Sequence, residues 1–176
     1  MSEAALRHTA ELAASERIAI GELLSAAFDD FGAEDMQHAL GGLHALVWER
    51  EELVAHGALV QRQLLHRGRS LRAGYVEAVA VHPEHRGRGH STAVMRRLEA
   101  AIAAAYELGA LHAEHGVAPL YVRRGWIPWQ GRTLAMGPEG LARTAAADGR
   151  VLVLPGTVPL SLCDEIACGW RDGDLW

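Results

Sequence analysis

The residues with the clearest chemical potential are two arginines and two glycines in the stretch VHPEHRGRGH, residues 81–90. The apolar segment GYVEAVAV precedes this stretch, and the helix-like segment STAVMRRLEAAIAAAYELG follows it. The first turn of a helix carries N–H groups without intrahelical acceptors and a partial positive charge, and glycine lets a ligand approach the backbone. Arg86 and Arg88 add charges that pair well with phosphate oxygens. This junction of strand and helix therefore predicts an anion site, with phosphate as the expected anion.

The spacing of the glycines distinguishes the known kinds of phosphate loop. A P-loop requires GxxxxGK[ST], and the chain contains no lysine. A dinucleotide fingerprint requires GxGxxG; Gly87 and Gly89 fit it, but Thr92 stands where the third glycine belongs. The pattern [RQ]xxGx[GA] of a pyrophosphate loop is matched by Arg86 and Gly89, with Ser91 in the last position. A solvated arginine loop without a ligand is the alternative at this stage.

Composition narrows the class of protein. The 176 residues suit one domain spanning 1–176, and 17 basic residues, all arginine, against 22 acidic ones give a net charge of −5. An acidic chain argues against general nucleic-acid binding, which needs a basic face. The sequence shows neither a signal peptide nor an apolar run of the ~18 residues that span a membrane, so we expect a globular cytoplasmic protein.

The histidine pattern does not predict a metal site. The pairs His82/His85 and His112/His115 come without cysteine or a second carboxylate cluster, and the chain has no HExxH motif. We therefore expect no bound metal.

Hydrophobic periodicity predicts a mixed α/β domain. The segment 71–81, apolar on both faces from Tyr75 onward, is predicted to be a central strand. Ser161 and Asp164 have the spacing of a capping box that opens a short helix carrying both cysteines, which we expect to be buried free thiols. The other predicted elements are a helix at 15–28 with Ser15 as its N-cap, strands at 41–50, 53–66, 110–116 and 151–155, a helix at 91–108 stopped by Gly109, and a short helix in APLYVRRGW with a turn at Gly125.

Several stretches together make the chain resemble the GNAT superfamily of N-acetyltransferases and, more closely, the aminoglycoside 2′-N-acetyltransferases. APLYVRRGW is similar to the superfamily pattern A-x-x-LY-x-x-x-GF, and the closer match rests on GGLHALVW, GYVEAVAV, AYELGAL, LYVRRGWIPW, DGRVLVLP and WRDGDLW. The resemblance implies a GNAT fold: a central mixed, mostly antiparallel sheet that is splayed at its middle strands and flanked by helices. It also implies transfer of an acetyl group from acetyl-CoA to the 2′-amino group of an aminoglycoside antibiotic, as in a resistance enzyme.

The resemblance assigns the cosubstrate to two neighbouring segments. Backbone N–H groups of Arg86, Gly87, Arg88, Gly89, His90 and Ser91 would bind the pyrophosphate of CoA. The pantetheine arm would pair like an additional strand with Val79, Ala80 and Val81.

The transfer itself requires a base, an oxyanion donor and an acid. Glu77 is the acidic residue of an otherwise apolar strand and could deprotonate the amine directly or through a water. The N–H of Val79 could stabilise the oxyanion of the tetrahedral intermediate. Tyr121 stands where the family places the acid that protonates the leaving thiolate. The alternatives are a half-buried structural role for Glu77 and a packing role for Tyr121.

A polycationic sugar needs carboxylates as counter-charges. The candidates by residue type are Asp30, Asp148, Asp172, Asp174 and the carboxylate of Trp176. The resemblance favours a substrate pocket formed by Asp30, Glu77, Ala78, His112, Asp148, Asp174 and Trp176. The sequence departs from the family pattern at two places in this pocket. AAADG replaces a row of acids and keeps only Asp148, with alanine at 147. LHAEHGVAP replaces a segment that is rich in serine and arginine in relatives, and it introduces His112 and His115.

Two other functions remain open at this stage. The same chemistry could act on a polyamine, a metabolite or a protein N-terminus, or the chain could bind acyl-CoA without catalysis. The presence of both Glu77 and Tyr121 counts against the non-catalytic alternative. The resemblance also implies a homodimer, with no nucleic-acid or membrane partner.

Overall fold

The computed structural model describes residues 3–114 and 116–176. Within these ranges the helices are α1 (Ala14–Ala27), α2 (Ala33–Ala39), α3 (His90–Ala105) and α4 (Ala118–Val122). The strands are β1 (Ala5–His8), β2 (Leu43–Glu49), β3 (Glu52–His66), β4 (Arg69–Val81), β5 (Leu108–His112), β6 (Ile127–Pro128), β7 (Thr133–Gly137), β8 (Gly140–Arg143), β9 (Val151–Pro155) and β10 (Ile166–Gly169). None of the described helices is long and apolar enough to cross a membrane.

The strands follow the hydrogen-bonded order β6-β9-β5-β4-β3-β10-β7-β8, and β2 links β1 to β3. The pairs β4/β5 and β10/β7 are parallel, whereas β1/β2, β2/β3, β3/β10, β5/β9, β6/β9 and β7/β8 are antiparallel. This confirms the predicted mixed, mostly antiparallel sheet with β4 as an inner strand.

The chain divides into two compact units. Unit 1 contains the residues up to Val60 together with Val76–Ala101, and unit 2 contains Gln61–Tyr75 and Ile102–Trp176. The strands β3 and β4 each contribute residues to both units. Whether 1–176 acts as one domain stays a prediction.

Helix α1 covers the hydrophobic core of unit 1. Ile20, Leu23 and Leu24 form a stripe at helical spacing and are almost fully buried. They belong to one buried cluster with Leu46 of β2 and Ala80 of β4. Because burial of each such leucine side chain contributes roughly 1.5–3 kcal/mol, this contact is a strong anchor for the second half of β4.

Two irregularities in the strands shape unit 1. The β2/β3 register shifts between Val47 and Trp48, so that Val47 pairs with Ala55 whereas Trp48 pairs with Leu53. In β4, Ala78 has a φ of +50°, a left-handed conformation that is unusual for a residue with a side chain. The β4/β5 register covers Ala73–Tyr75, whereas β4 itself continues to Val81.

Four local predictions are wrong. Helix α1 begins one residue earlier than predicted and has Ala13 as its N-cap, whose N–H is bound by the Glu16 carboxylate at 2.8 Å; Ser15 is therefore not the cap. Gly109 does not stop α3, which ends at Ala105, but lies within β5. A Cβ at Gly109 would lie 3.0 Å from both Ile102 Cδ1 and Leu154 Cβ. This strand needs a glycine for close packing.

The capping-box prediction at Ser161 also fails. Asp164 N–H donates to Ser161 O in a turn, and the chain then enters β10, which pairs with β3 and β7. Cys168 is buried in this strand as expected, whereas Cys163 is exposed. The segment is extended because it pairs with β3 and β7, which are distant in the sequence, so its own residues do not reveal this conformation.

A close contact at Gly57 of β3 predicts opposite effects for two Gly→Ala changes. A Cβ at Gly57 would lie 2.6 Å from Val94 Cγ1 of α3 and 3.3 Å from Val79 Cγ2 of β4. We expect Gly57→Ala to lower the free energy of unfolding by about 1–3 kcal/mol through overpacking. Gly21→Ala, in α1 with no atom within 4 Å of its Cβ, should raise it by about 0.5–1 kcal/mol. Urea denaturation measures both; a neutral Gly57→Ala would contradict the packing argument.

Candidate functional site

The loop before α3 has the geometry of an anion site. Gly87 and Gly89 have φ values of +77° and +87°, and no atom lies within 4 Å of a Cβ built at either position. The first bond of α3 runs from Ala93 N–H to Gly89 O at 3.1 Å, so the N–H groups of residues 90–92 precede the helical ladder. Arg86 and Arg88 are exposed beside these donors, while Ser91 is exposed in the first turn. The predicted loop residues are therefore brought together in unit 1.

An ionic cluster at the base of this loop was not predicted from the sequence. Glu49 at the end of β2 lies 3.2 Å from His85 Nδ1 and 3.2 Å from His90 Nε2, and 3.7 Å from Arg88 Nη1. Glu52 of β3 lies 3.6 Å from His85 Nε2. These carboxylates come from distant positions in the chain, which is why the histidine spacing showed no acidic partner. These contacts, which include the ion pair of Glu49 with Arg88, join the loop to the β2/β3 hairpin.

The same cluster could also hold a metal. The ligand atoms of Glu49, His85 and His90 all lie within 4.8 Å of one another, and those of Glu52, His82 and His85 do so as well. Imidazole and carboxylate are common ligands of divalent zinc. Ion pairing uses the same contacts, so the expectation of no metal stays a prediction.

The middle of β4 carries the predicted base at a backbone irregularity. Glu77 is half-buried, and the adjacent Ala78 adopts the left-handed conformation. The carbonyl oxygen of Ala78 accepts a hydrogen bond from Nδ1 of the buried His56 at 2.9 Å. Since a trans peptide directs its C=O and N–H in opposite directions, the N–H of Val79 points away from this imidazole. Beyond it, Ala80 is buried and Val81 half-buried at the end of β4.

His56 is itself part of a buried polar chain. Its Nε2 lies 2.9 Å from Nδ1 of His44 in β2, and Nε2 of His44 lies 2.8 Å from Thr9 Oγ1. Burial lowers the pKa of His44 to about 4 and that of His56 to about 3. Both rings are therefore neutral near pH 7. These hydrogen bonds were not predicted from the sequence, although each histidine interrupts an apolar strand.

Tyr121 lies in α4 of unit 2. Its side chain is half-buried and meets the ring of the buried Trp126 edge-on, with ring centroids 6.1 Å apart. Burial raises the pKa of the Tyr121 hydroxyl, so this group keeps its proton at neutral pH. The hydroxyl is thus chemically suited to donate a proton or a hydrogen bond.

Trp176 is docked against unit 2. Its side chain is buried, and its Nε1 donates to Thr144 Oγ1 at 2.8 Å. Arg62 Nη2 donates to the carbonyl of the preceding Leu175 at 2.7 Å. Asp174 is exposed in this segment, as is Asp30 in the turn after α1 of unit 1.

His112 at the end of β5 lies within electrostatic range of Asp174. Burial lowers its pKa, Arg150 adds to this effect, and Glu114 and Asp174 oppose it. Its Nε2 is buried and finds no hydrogen-bond partner among residues 3–114 and 116–176. The neighbouring His115 of the sequence prediction lies outside the described residues.

Asp148 is engaged within the protein. Its Oδ1 accepts from the Thr133 N–H at 3.0 Å and from Thr133 Oγ1 at 2.9 Å, and its carboxylate forms an ion pair with Arg143. The Arg143 guanidinium holds the pKa of this carboxyl well below its usual range. These bonds join the β7/β8 hairpin to the turn before β9 and leave little charge for a substrate.

Comparison with known proteins identifies the family. Residues 9–128 match the acetyltransferase (GNAT) domain family. The chain belongs to the GNAT acetyltransferase family. It is also 46% identical over 178 residues, which cover 98% of this chain and 91% of the relative, to an aminoglycoside 2′-N-acetyltransferase of Mycolicibacterium fortuitum. By this identity the acetyltransferase is a member of that enzyme's family.

Solved structures agree with the GNAT fold. A GNAT family N-acetyltransferase (YhbS) from Escherichia coli in complex with CoA covers 98% of this chain and 92% of its own, with a TM-score of 0.61 and 13% identity. Escherichia coli ElaA covers 88% of this acetyltransferase and 99% of its own chain, with a TM-score of 0.61 and 20% identity. These likenesses show the fold alone.

The ion pair of Asp148 predicts a pH-dependent effect on stability. We expect Asp148→Asn to lower the thermal midpoint by about 1–4 °C near pH 7, as for a partly exposed ion pair. Because the folded pKa is depressed, this stabilisation is fully present above the unfolded pKa of about 3.9 and is lost as the pH falls through the folded value. The difference from wild type should therefore shrink near pH 3. Thermal melts at both pH values measure it.

Asp29→Asn is the matched control. Asp29 lies exposed in the turn after α1, and the chemical change is the same. An equal loss in this variant, or a difference at Asp148 that does not vary with pH, would contradict the ion-pair explanation.

Proposed function

We propose that this enzyme transfers the acetyl group of acetyl-CoA to the 2′-amino group of an aminoglycoside. The observation that carries the proposal is the 46% identity, over nearly the whole chain, to an aminoglycoside 2′-N-acetyltransferase. The residue types support it, because unit 1 has a half-buried carboxylate and an arginine-glycine loop, unit 2 has a protonated tyrosine, and such a transfer requires these three groups.

In this proposal the cosubstrate is bound by unit 1. The N–H groups and guanidinium groups from Arg86 to Ser91 bind the pyrophosphate, since this loop directs positive charge and open backbone donors to solvent. The pantetheine arm pairs with the backbone of β4 from Val79 to Val81. The thioester supplies an activated acyl group, and side chains of the protein remove a proton from the amine and donate one to the thiolate.

Three groups of the chain perform the proton transfers and charge stabilisation. Glu77 takes a proton from the substrate ammonium, directly or through a water, so that the neutral amine attacks the thioester carbon. The N–H of Val79 donates to the carbonyl oxygen as that oxygen becomes negative. When the C–S bond breaks, Tyr121 protonates the departing thiolate, and burial has kept its hydroxyl protonated for this step.

Carboxylates explain a preference for a cationic sugar. Asp30 of unit 1, and Asp174 and the carboxylate of Trp176 of unit 2, provide counter-charges, and Ala78 and His112 are the uncharged residues that the proposal assigns to the substrate. Asp148 contributes less than the sequence suggested, because Arg143 and Thr133 occupy its oxygens. We further propose that the enzyme acts in the cytoplasm as a homodimer of single-domain chains.

A thiol-release assay tests the function and the two proton-transfer residues. We expect turnover with kanamycin- and gentamicin-type sugars that carry a free 2′ amine, and none when that amine is absent. Glu77→Gln and Tyr121→Phe should each lower kcat/KM by about 10²–10⁴-fold, as expected for loss of a general base or acid. Their thermal midpoints should stay near wild type, since both changes preserve side-chain shape.

The same panel includes spermidine and a peptide N-terminus. Turnover of either of these in the absence of drug turnover would assign the chemistry to another amine. Tight CoA binding without thiol release would instead indicate a binding module, and wild-type activity in Tyr121→Phe would return that residue to a packing role.

The pyrophosphate assignment predicts a selective loss of CoA affinity. Arg86→Gln should raise the Kd for CoA by about 10-fold, because a hydrogen bond to a charged group is worth roughly 1.5–3 kcal/mol. Arg96→Gln, on the exposed face of α3, is the matched control and should bind as wild type does. Calorimetric titration measures both; equal affinities for all three proteins would refute the role of the loop.

A further inference from the structure

Within unit 1, a series of hydrogen bonds runs from Thr9, just after β1, through two buried histidines to the middle of β4. The Gly41 N–H donates to Thr9 Oγ1 at 2.9 Å, and Thr9 Oγ1 lies 2.8 Å from His44 Nε2. His44 Nδ1 lies 2.9 Å from His56 Nε2, and His56 Nδ1 lies 2.9 Å from Ala78 O. Both imidazoles are fully buried, with a relative exposure of 0%.

The proton positions along this chain follow from its last acceptor. A carbonyl oxygen only accepts, so His56 carries its proton on Nδ1 and accepts at Nε2. His44 must then donate from Nδ1 and accept at Nε2, which leaves the Thr9 hydroxyl as its donor. Thr9 Oγ1 also lies 3.1 Å from Gly42 O, but that carbonyl is already satisfied by the Thr9 N–H at 2.9 Å, whereas the buried Nε2 of His44 needs the hydroxyl proton. All the bonds therefore point the same way, and burial keeps both rings in the neutral form that this order requires.

The last hydrogen bond of this series reaches Ala78, the residue of β4 with the left-handed backbone. A non-glycine residue in the left-handed region costs roughly 1–3 kcal/mol and persists only where its surroundings fix it. At Ala78 the fixed group is the carbonyl, which His56 binds from the interior. Because the peptide is planar and trans, fixing this oxygen also fixes the direction of the Val79 N–H.

We propose that His56, oriented by His44 and Thr9, is a positioning residue for acetyl transfer. It does not touch the substrate; it holds the Ala78–Val79 peptide so that the Val79 N–H meets the developing oxyanion. This inference rests on the proposed role of Val79 given above. It assigns a catalytic consequence to two histidines that would otherwise be buried polar residues of a core.

Two substitutions at His56 distinguish the effect of losing its hydrogen-bond donor from the effect of losing its imidazole ring. His56→Leu removes the donor to Ala78 O, and we expect kcat to fall by about 10²-fold, as for loss of one oxyanion donor, with KM for acetyl-CoA within about 3-fold of wild type. In His56→Asn the side-chain amide can occupy the position of Nδ1–H, so at least about 10-fold of the lost kcat should return.

The matched control is His66→Leu. His66 of β3 is also a buried histidine whose Nδ1 binds a backbone carbonyl, that of Glu165 at 3.0 Å, but it lies in unit 2 at a position outside the proposed machinery. It should lose stability much as His56→Leu does while keeping a kcat near wild type. A wild-type kcat in folded His56→Leu, or an equal kcat loss in His66→Leu, would overturn the proposal.

A measurement on the wild-type protein covers the case in which a variant fails to fold. Two-dimensional ¹⁵N NMR of the imidazoles should show His44 and His56 as neutral Nδ1–H tautomers from about pH 5 to pH 8. An Nε2–H tautomer, or titration near the ordinary histidine pKa of about 6.5, would overturn the bonding order. Wild-type turnover of spermidine alone would refute the aminoglycoside assignment and still allow the kcat test, because any transfer from a thioester develops the same oxyanion.

Discussion

The left-handed backbone at Ala78 is the constraint on which the second half of β4 depends. Ala78 follows Glu77 within β4 and has a φ of +50°, far from the extended conformation of a strand. A carbonyl turned inward must find a donor, since an unsatisfied buried acceptor costs about 1–3 kcal/mol. The imidazole of His56 meets this need. The same hydrogen bond thus satisfies the Ala78 carbonyl and, in our proposal, orients the Val79 N–H for the oxyanion.

The α3 loop gathers positive charge, because Arg86 and Arg88 are exposed beside the first N–H groups of the helix. Glu49 and Glu52 from the β2/β3 hairpin contact the histidines and Arg88 at the base of this loop. Glu49 offsets the positive charge of Arg88, and the proposed anion site then consists of Arg86 and the first N–H groups of α3. Gly57 contributes from within the sheet, since its missing side chain lets α3 lie close to β3 and β4.

Features with local signals could be predicted from the sequence. The glycine spacing, the apolar run of β4 and the turn at Gly125 are local, and the structure has each of them. Strand β10 could not be predicted, because Ser161 and Asp164 fit a helix start equally well and only its partners make the segment extended. The contact between His44 and His56 depends on a register that the sequence does not reveal. Uninterrupted pairing from Glu49 and Glu52 would place the two histidines on opposite faces, and the shift at Val47 and Trp48 places them on the same face.

The register shift between Val47 and Trp48 favours one pairing of β2 with β3 over its alternatives. In the shifted register His44 lies opposite Ala58, two residues from His56, which is a diagonal neighbour on the same face. A hairpin that slipped by one residue would bury two imidazoles away from each other, and each would lose a partner. The misaligned state is then higher in energy by about 1–3 kcal/mol for every nitrogen left unsatisfied. The two histidines thereby favour one alignment of the hairpin, together with Gly57, whose position against α3 accepts no side chain.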